Sequence, residues 1–163
     1  MANEPEIVSL LSKHKARGAI IDTNLLLLLV VGIYDPRSIG QRRTAAYTPS
    51  DFRLIEVVVD RLDKIVVTPN IMTEVDNLSR SLRDKQRLAL AIQHIYRKIS
   101  EVYRPSGEAI ASPVYQQIGL TDTHIMAMAS EHFLVITDDF PLYHRISNLN
   151  RDVININHIR TLE

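Results

Sequence analysis

A chain of 163 residues, 45% hydrophobic and 23% charged, is long enough for one domain with a sizeable core and has the balance of an ordinary globular protein. Its 19 Lys and Arg offset 19 Asp and Glu to a formal net charge of zero, which excludes the overall basic balance of a general nucleic-acid coat, so any polyanion must be held by a local patch or by metal ions. The lack of cysteine excludes disulfide frameworks and thiolate metal sites, and the longest apolar run, Leu25 to Ile33, is too short to span a bilayer.

The opening residues lack the basic segment and apolar stretch of a secretory signal, so the expected location is the cytoplasm, away from membranes. Ile7, Val8, Leu10 and Leu11 predict a short amphipathic helix over Glu4 to Lys15, with Pro5 in its first turn and Gly18 ending it. Ala19 to Ile21 reads as a buried strand closed by Asp22, Thr23 and Asn24, and Leu25 to Ile33 as a helix buried on most faces. Tyr34 to Pro49 contains Pro36, Gly40 and Pro49 as breakers and Arg37, Arg42 and Arg43 as cations, and reads as a loop. Ser50 and Asp51 are expected to cap the next helix, whose apolar positions are Phe52, Ile55, Val58, Val59 and Leu62.

Ile65 to Val67 forms the second predicted strand, followed by a helix opened by Thr68 and Pro69 that carries Glu74 in its early turns. Leu88, Ala91, Ile92, Ile95 and Ile99 predict one long helix from Asp84 to about Tyr103, closed by Pro105 and Gly107. A short helix over Pro113 to Ile118 is reset by Gly119. The next helix carries Asp122 near its start, and the strand Phe133 to Ile136 runs straight into Thr137, Asp138 and Asp139. A helix through Ile146 and Leu149 then leads to a last strand over Val153, Ile154 and Ile156, with Asn157 capping a terminal turn. Strands alternating with helices point to a single α/β domain, a three-layer α/β/α sandwich around a mostly parallel sheet, with residues 1–18 as a helical extension.

Four acids occupy equivalent places in that plan: Asp22 and Asp139 after strands, Glu74 and Asp122 in the helices beside them. In a parallel sheet such positions converge on one edge, where ligands bind. Acids that close repel one another and require protonation, a basic partner or a cation. No Lys or Arg lies between Leu120 and Tyr143, and oxygen ligands suit Mg2+ or Mn2+ rather than zinc. Taken singly, Asp22 reads as a helix cap, Glu74 as a surface acid, Asp122 as an N-cap and Asp138 with Asp139 as a turn; the joint pattern lifts them. The histidines show no zinc spacing, although His124 and His144 lie close in sequence to the acids. No Gly-rich phosphate loop occurs, and the late Lys of a phosphate-accepting receiver is missing.

IDTNLL at 21–26, TEVDNL at 73–78, LTDTHIMAMA at 120–129 and VITDDF at 135–140 resemble, in order, the four acidic motifs of the PIN-domain nucleases. The resemblance runs from about Ala19 to Ile156. It implies metal-dependent endonucleolysis of RNA, with Asp22, Glu74, Asp122 and Asp139 as metal-binding acids, Asp138 as a nearby substitute, and Asn24 and Thr137 orienting ligands or water. One or two Mg2+ or Mn2+ ions, a homodimer and an antitoxin partner are further expectations from the family. A catalytically silent PIN-like binding module is the alternative. About eighteen residues precede the first strand, and the loop with Arg37, Arg42 and Arg43 is an insertion relative to the small toxin members; these arginines are expected to grip phosphate as a lip over the site.

Overall fold

Short runs of Val and Ile build the sheet of this protein, seen in a computed structural model that describes residues 4–160. β1 (Ala19–Ile21), β2 (Ile65–Val67), β3 (Ile99–Glu101), β4 (Leu134–Thr137) and β5 (Val153–Asn155) lie in the order β3-β2-β1-β4-β5, and every adjacent pair is parallel. The residues of β1, β2 and β4 are all buried, as expected of strands covered on both faces. The covering helices are α1 (Glu4–His14), α2 (Thr23–Tyr34), α3 (Pro49–Asp60), α4 (Pro69–Ser79), α5 (Lys85–Tyr96), α6 (Ser106–Ile110), α7 (Tyr115–Ser130), α8 (Phe140–Asn148) and α9 (Ile156–Arg160). The result is the three-layer α/β/α sandwich expected from the sequence. Among the described residues no helix is long and apolar enough to cross a membrane.

The apolar run at the start of the chain becomes α2, buried at every position but Asn24 and Ile33 and packed against α3, α4 and α5. Its Gly32 makes that packing feasible: a Cβ there would lie 2.2 Å from the ring of Phe52 on α3. Ile7 and Leu11 of α1 join the same core, and Lys13 and His14 both reach Asp152 Oδ2 at 2.6 Å. The N-terminal extension is therefore tied down beside β5.

Several boundaries differ from the sequence reading. The predicted long helix to Tyr103 stops at Tyr96, and Ile99–Glu101 pairs with β2 as an edge strand. Ile99 falls on the helical spacing of Ile92 and Ile95, and no Pro or Gly marks the break. Pro105 and Gly107 do not only close a helix: Pro105 is the N-cap of α6, and Gly107 lies inside it. α3 is capped by Thr48 rather than by Ser50, with Pro49 following it and Asp51 completing a reciprocal capping box. The 34–49 segment contains two 3-10 turns, Pro36–Ser38 and Arg42–Thr44. The last strand ends at Asn155, so Ile156 belongs to α9, and Asn155 Oδ1 rather than Asn157 supplies the cap by accepting the Asn157 N–H. Gly119, at φ 78°, breaks α7 where the sequence predicts a reset.

Strand order fixes where a ligand can enter. From β1 the chain moves outward to β2 and β3, then returns to the other side of β1 to form β4 and β5. The order thus reverses between β1 and β4, and the crevice outside their carboxyl ends is the position at which open α/β sheets bind ligands.

Candidate acidic site at the sheet edge

Asp22 and Asp138 are the residues that directly follow β1 and β4, so the switch-point crevice is walled by carboxylates. The Asp22 N–H donates to the Ile136 carbonyl at 3.1 Å, holding the two strand ends side by side. The Asp22 side chain, only 5% exposed, is the N-cap of α2, with Oδ1 accepting from the Leu25 N–H at 3.1 Å. Its Oδ2 accepts from the Thr137 hydroxyl and from the Asp138 N–H at 3.3 Å. Thr137 Oγ1 in turn accepts from the Asp139 N–H at 2.9 Å, and Asp139 Oδ1 caps α8 through the Leu142 N–H at 2.7 Å. Thr137 is therefore the hinge pin between the first and last acids of the set.

Glu74 and Asp122 join from neighbouring helices. Thr23, next to Asp22, donates its hydroxyl to Glu74 Oε2 at 3.0 Å, which ties the start of α2 to α4. Asp122, half-buried on α7, lies close enough to Asp139 and Glu74 to be perturbed by both charges. The five acids thus form two linked groups beside the β1/β4 crevice, Asp22 with Asp138 and Asp122 with Asp139 and Glu74.

The electrostatics are those of an unneutralised cluster. Burial pushes the Asp22 carboxyl up to about 7, and the Asp138 charge adds to it, against the opposing hydrogen bonds from Thr137, Leu25 and Asp138. Burial, then Asp139 and Glu74, push Asp122 up to about 6. Among the described residues no ion pair reaches any of the five acids. Among the described residues Asp138 Oδ1 is buried without a hydrogen-bond partner, a costly state for a carboxylate oxygen. An all-oxygen donor set lacking positive charge fits a hard divalent cation. Among the described residues no three His, Asp or Glu side chains stand close enough together to hold one ion.

Three contributors are not visible in the sequence motifs. Tyr47, from the 34–49 segment, donates its hydroxyl to Asp138 Oδ2 at 2.5 Å. Burial, and then the Asp138 carboxylate, hold its proton far above the usual phenol range. Arg160 of α9 stands with its guanidinium carbon 5.4 Å from the Tyr47 ring centroid and pairs with Asp51 at 2.6 Å. Asn157 donates to the Asp138 carbonyl at 2.8 Å. A Tyr47→Phe exchange should remove the donor to Asp138 Oδ2 and lower stability by about 1–3 kcal/mol, read as a reduced urea midpoint. An unchanged midpoint would mean that the bond contributes nothing.

The remaining expected site residues are placed as follows. Asn24 is exposed in the first turn of α2. Arg37 donates to Asp35 at 3.1 Å, and Arg42 donates to the Ser81 carbonyl. Arg42 and Arg43 line a cavity beside the end of α4, whereas Glu74 lines the neighbouring concavity with Tyr103, Arg104 and Thr121. From the inserted segment it is Tyr47 that is seen to contact one of the five site acids, Asp138. His124 is buried with Nε2 3.3 Å from the Pro105 carbonyl, and His144 stacks on Phe140.

Compared with protein-family models, curated proteins and solved structures, the chain matches none.

Proposed function

We propose that the protein is a PIN-type endoribonuclease that hydrolyses phosphodiester bonds with the help of Mg2+ or Mn2+. The observation that carries this reading is the carboxylate group beside the β1/β4 crevice, which among the described residues has no ion-pair partner and leaves Asp138 Oδ1 buried and unpaired. Asp138, Asp139, Asp122 and Glu74 would hold the ion or ions, together with Asp22. A bound divalent ion in such a site lowers the pKa of water and offsets the negative charge of a phosphate. The chain's own part is positioning. Thr137 and the Leu25 N–H fix the rotamer of Asp22, Thr23 holds Glu74 against α2, and Tyr47 fixes one oxygen of Asp138. RNA as the substrate class, an antitoxin segment lying across the crevice, pairing of two copies and a cytoplasmic setting all follow from the motif resemblance.

A second reading is a catalytically silent PIN-like binding module. Asp22 and Asp139 favour it to the extent that both accept helix-capping N–H bonds, as purely structural aspartates do. The two readings separate on incubation of the purified protein with total RNA in Mg2+, in Mn2+ and in EDTA. The nuclease reading expects cleavage in the metal arms and none in EDTA. Intact RNA in every arm, or cleavage that survives EDTA, would overturn it.

A further inference from the structure

The geometry points to a second ligand site, separate from the acids: we propose that the cavity between α2, the end of α4 and the 42–44 turn binds a phosphate monoester. The cavity measures about 230 Å³, and Arg42, Arg43 and Arg83 stand around it over a floor that includes Leu27, Val31 and Leu82. None of its lining residues is an Asp or a Glu. Three arginines round one concavity with no acidic lining residue concentrate positive charge there, and the complement of that charge is an anion.

The carboxylates on the adjoining segments are already engaged. Asp35 accepts from Arg37, and Asp84 caps α5 through the Arg87 N–H. Arg43 and Arg83 have no hydrogen-bond or ion-pair partner among the described residues, so their donors are free for a ligand. Arg42 is held in the left-handed region at φ 50°, a conformation a side-chain-bearing residue keeps only where its surroundings enforce it. Its guanidinium is anchored on the carbonyl of Ser81, another residue that lines the cavity.

The class of anion follows from charge and size. Arginine forks match phosphate oxygens, and a dianionic monoester complements several guanidiniums better than a singly charged diester does. The volume lies below the roughly 300–1,000 Å³ of a drug-sized pocket, which suits a phosphate and the sugar attached to it. Such a monoester has two sources, a free mononucleotide or the phosphorylated end of a nucleic-acid strand. Leu78 lines both this cavity and the concavity of Glu74, so a strand end seated here would lead toward the acids.

Calorimetric titration in EDTA tests the site without calling on metal or catalysis. Adenosine 5'-monophosphate and inorganic phosphate should bind the native protein, and adenosine should not. The Arg43→Gln, Arg83→Gln double variant, which breaks no intramolecular bond, should weaken both ligands at least tenfold at an unchanged melting temperature, while Arg83→Lys should retain part of the affinity. Asp22→Asn should leave the titration unchanged. A 5'-phosphorylated trinucleotide that binds more tightly than the mononucleotide assigns the source to a strand end, and weaker binding assigns it to the free nucleotide. Equal affinity for adenosine and its monophosphate, or affinity unaffected by the arginine exchanges, would overturn the proposal, and either result leaves the nuclease reading to stand or fall on its own assay.

Discussion

On the nuclease reading, an Asp22→Asn variant should fold, keep its α2 cap and lose RNA cleavage by roughly a thousandfold. The cap survives because Asn ranks with Asp at that position, and its amide oxygen can still accept from the Leu25 N–H. The other oxygen is where the change acts. Its replacement by an amide presents N–H to the Asp138 N–H, which now donates to Asp22 Oδ2 at 3.3 Å, and the negative charge at the crevice wall is gone. If a divalent ion supplies several kcal/mol of transition-state stabilisation, losing most of it at about 1.36 kcal/mol per decade gives the stated loss. Initial rates on a labelled RNA, with native and variant protein at saturating Mn2+, provide the measurement. Retention of activity within threefold would reduce Asp22 to a helix cap.

The sheet was legible where strands are buried on both faces. Ala19–Ile21, Ile65–Val67 and Leu134–Thr137 are wholly apolar or β-branched because helices cover both of their sides. The edge strand Ile99–Glu101 carries no such mark: it is only partly buried, it contains Ser100 and Glu101, and Ile99 continues the period of α5. Tertiary pairing with β2, rather than local pattern, decides its state. At the start of α3, Thr48, Ser50 and Asp51 all suit a cap, and the choice of Thr48 rests on bonds that only the folded chain shows.

The acids were legible for a different reason. Each follows a strand or lies in the early turns of a helix beside one, positions that an α/β plan directs toward one edge. Their supports were not. Thr23 lies inside the first acidic motif, yet its hydroxyl bond to Glu74 spans 51 residues, and that of Tyr47 to Asp138 spans 91. The three arginines of the inserted segment were the visible signal there, but two of them line a separate cavity, and an aromatic hydroxyl of the same segment reaches the acids instead. Charge in a loop states what the loop can attract and leaves open which neighbour it faces.

The buried acid also fixes how stability should vary with pH. Asp22 loses its proton near 3.8 in an unfolded chain and near 7 in the fold, so between those values the folded state binds more protons and stability falls as pH rises. With the side chain 5% exposed, the loss above pH 7 is on the order of 4 kcal/mol in metal-free protein. Asp51 and Asp152 act in the opposite sense at lower pH. Their partial burial is outweighed by bonds from Thr48 and Arg160 and from Lys13 and His14, which hold both carboxyls below the usual value. That stability is present above 3.8 and is lost as pH falls through the lowered values. Metal-free protein should therefore be most stable on the acid side of neutrality. Mn2+ should raise stability most at pH 7 to 8, because a cation that binds only the folded, deprotonated cluster stabilises by linkage. Urea midpoints from pH 4 to 8, in EDTA and in millimolar Mn2+, provide the test, and Asp22→Asn should flatten the EDTA curve. Superimposable EDTA and Mn2+ curves would remove the cation from the crevice, because a site that gathers unneutralised carboxylates for a metal must be relieved when the metal arrives.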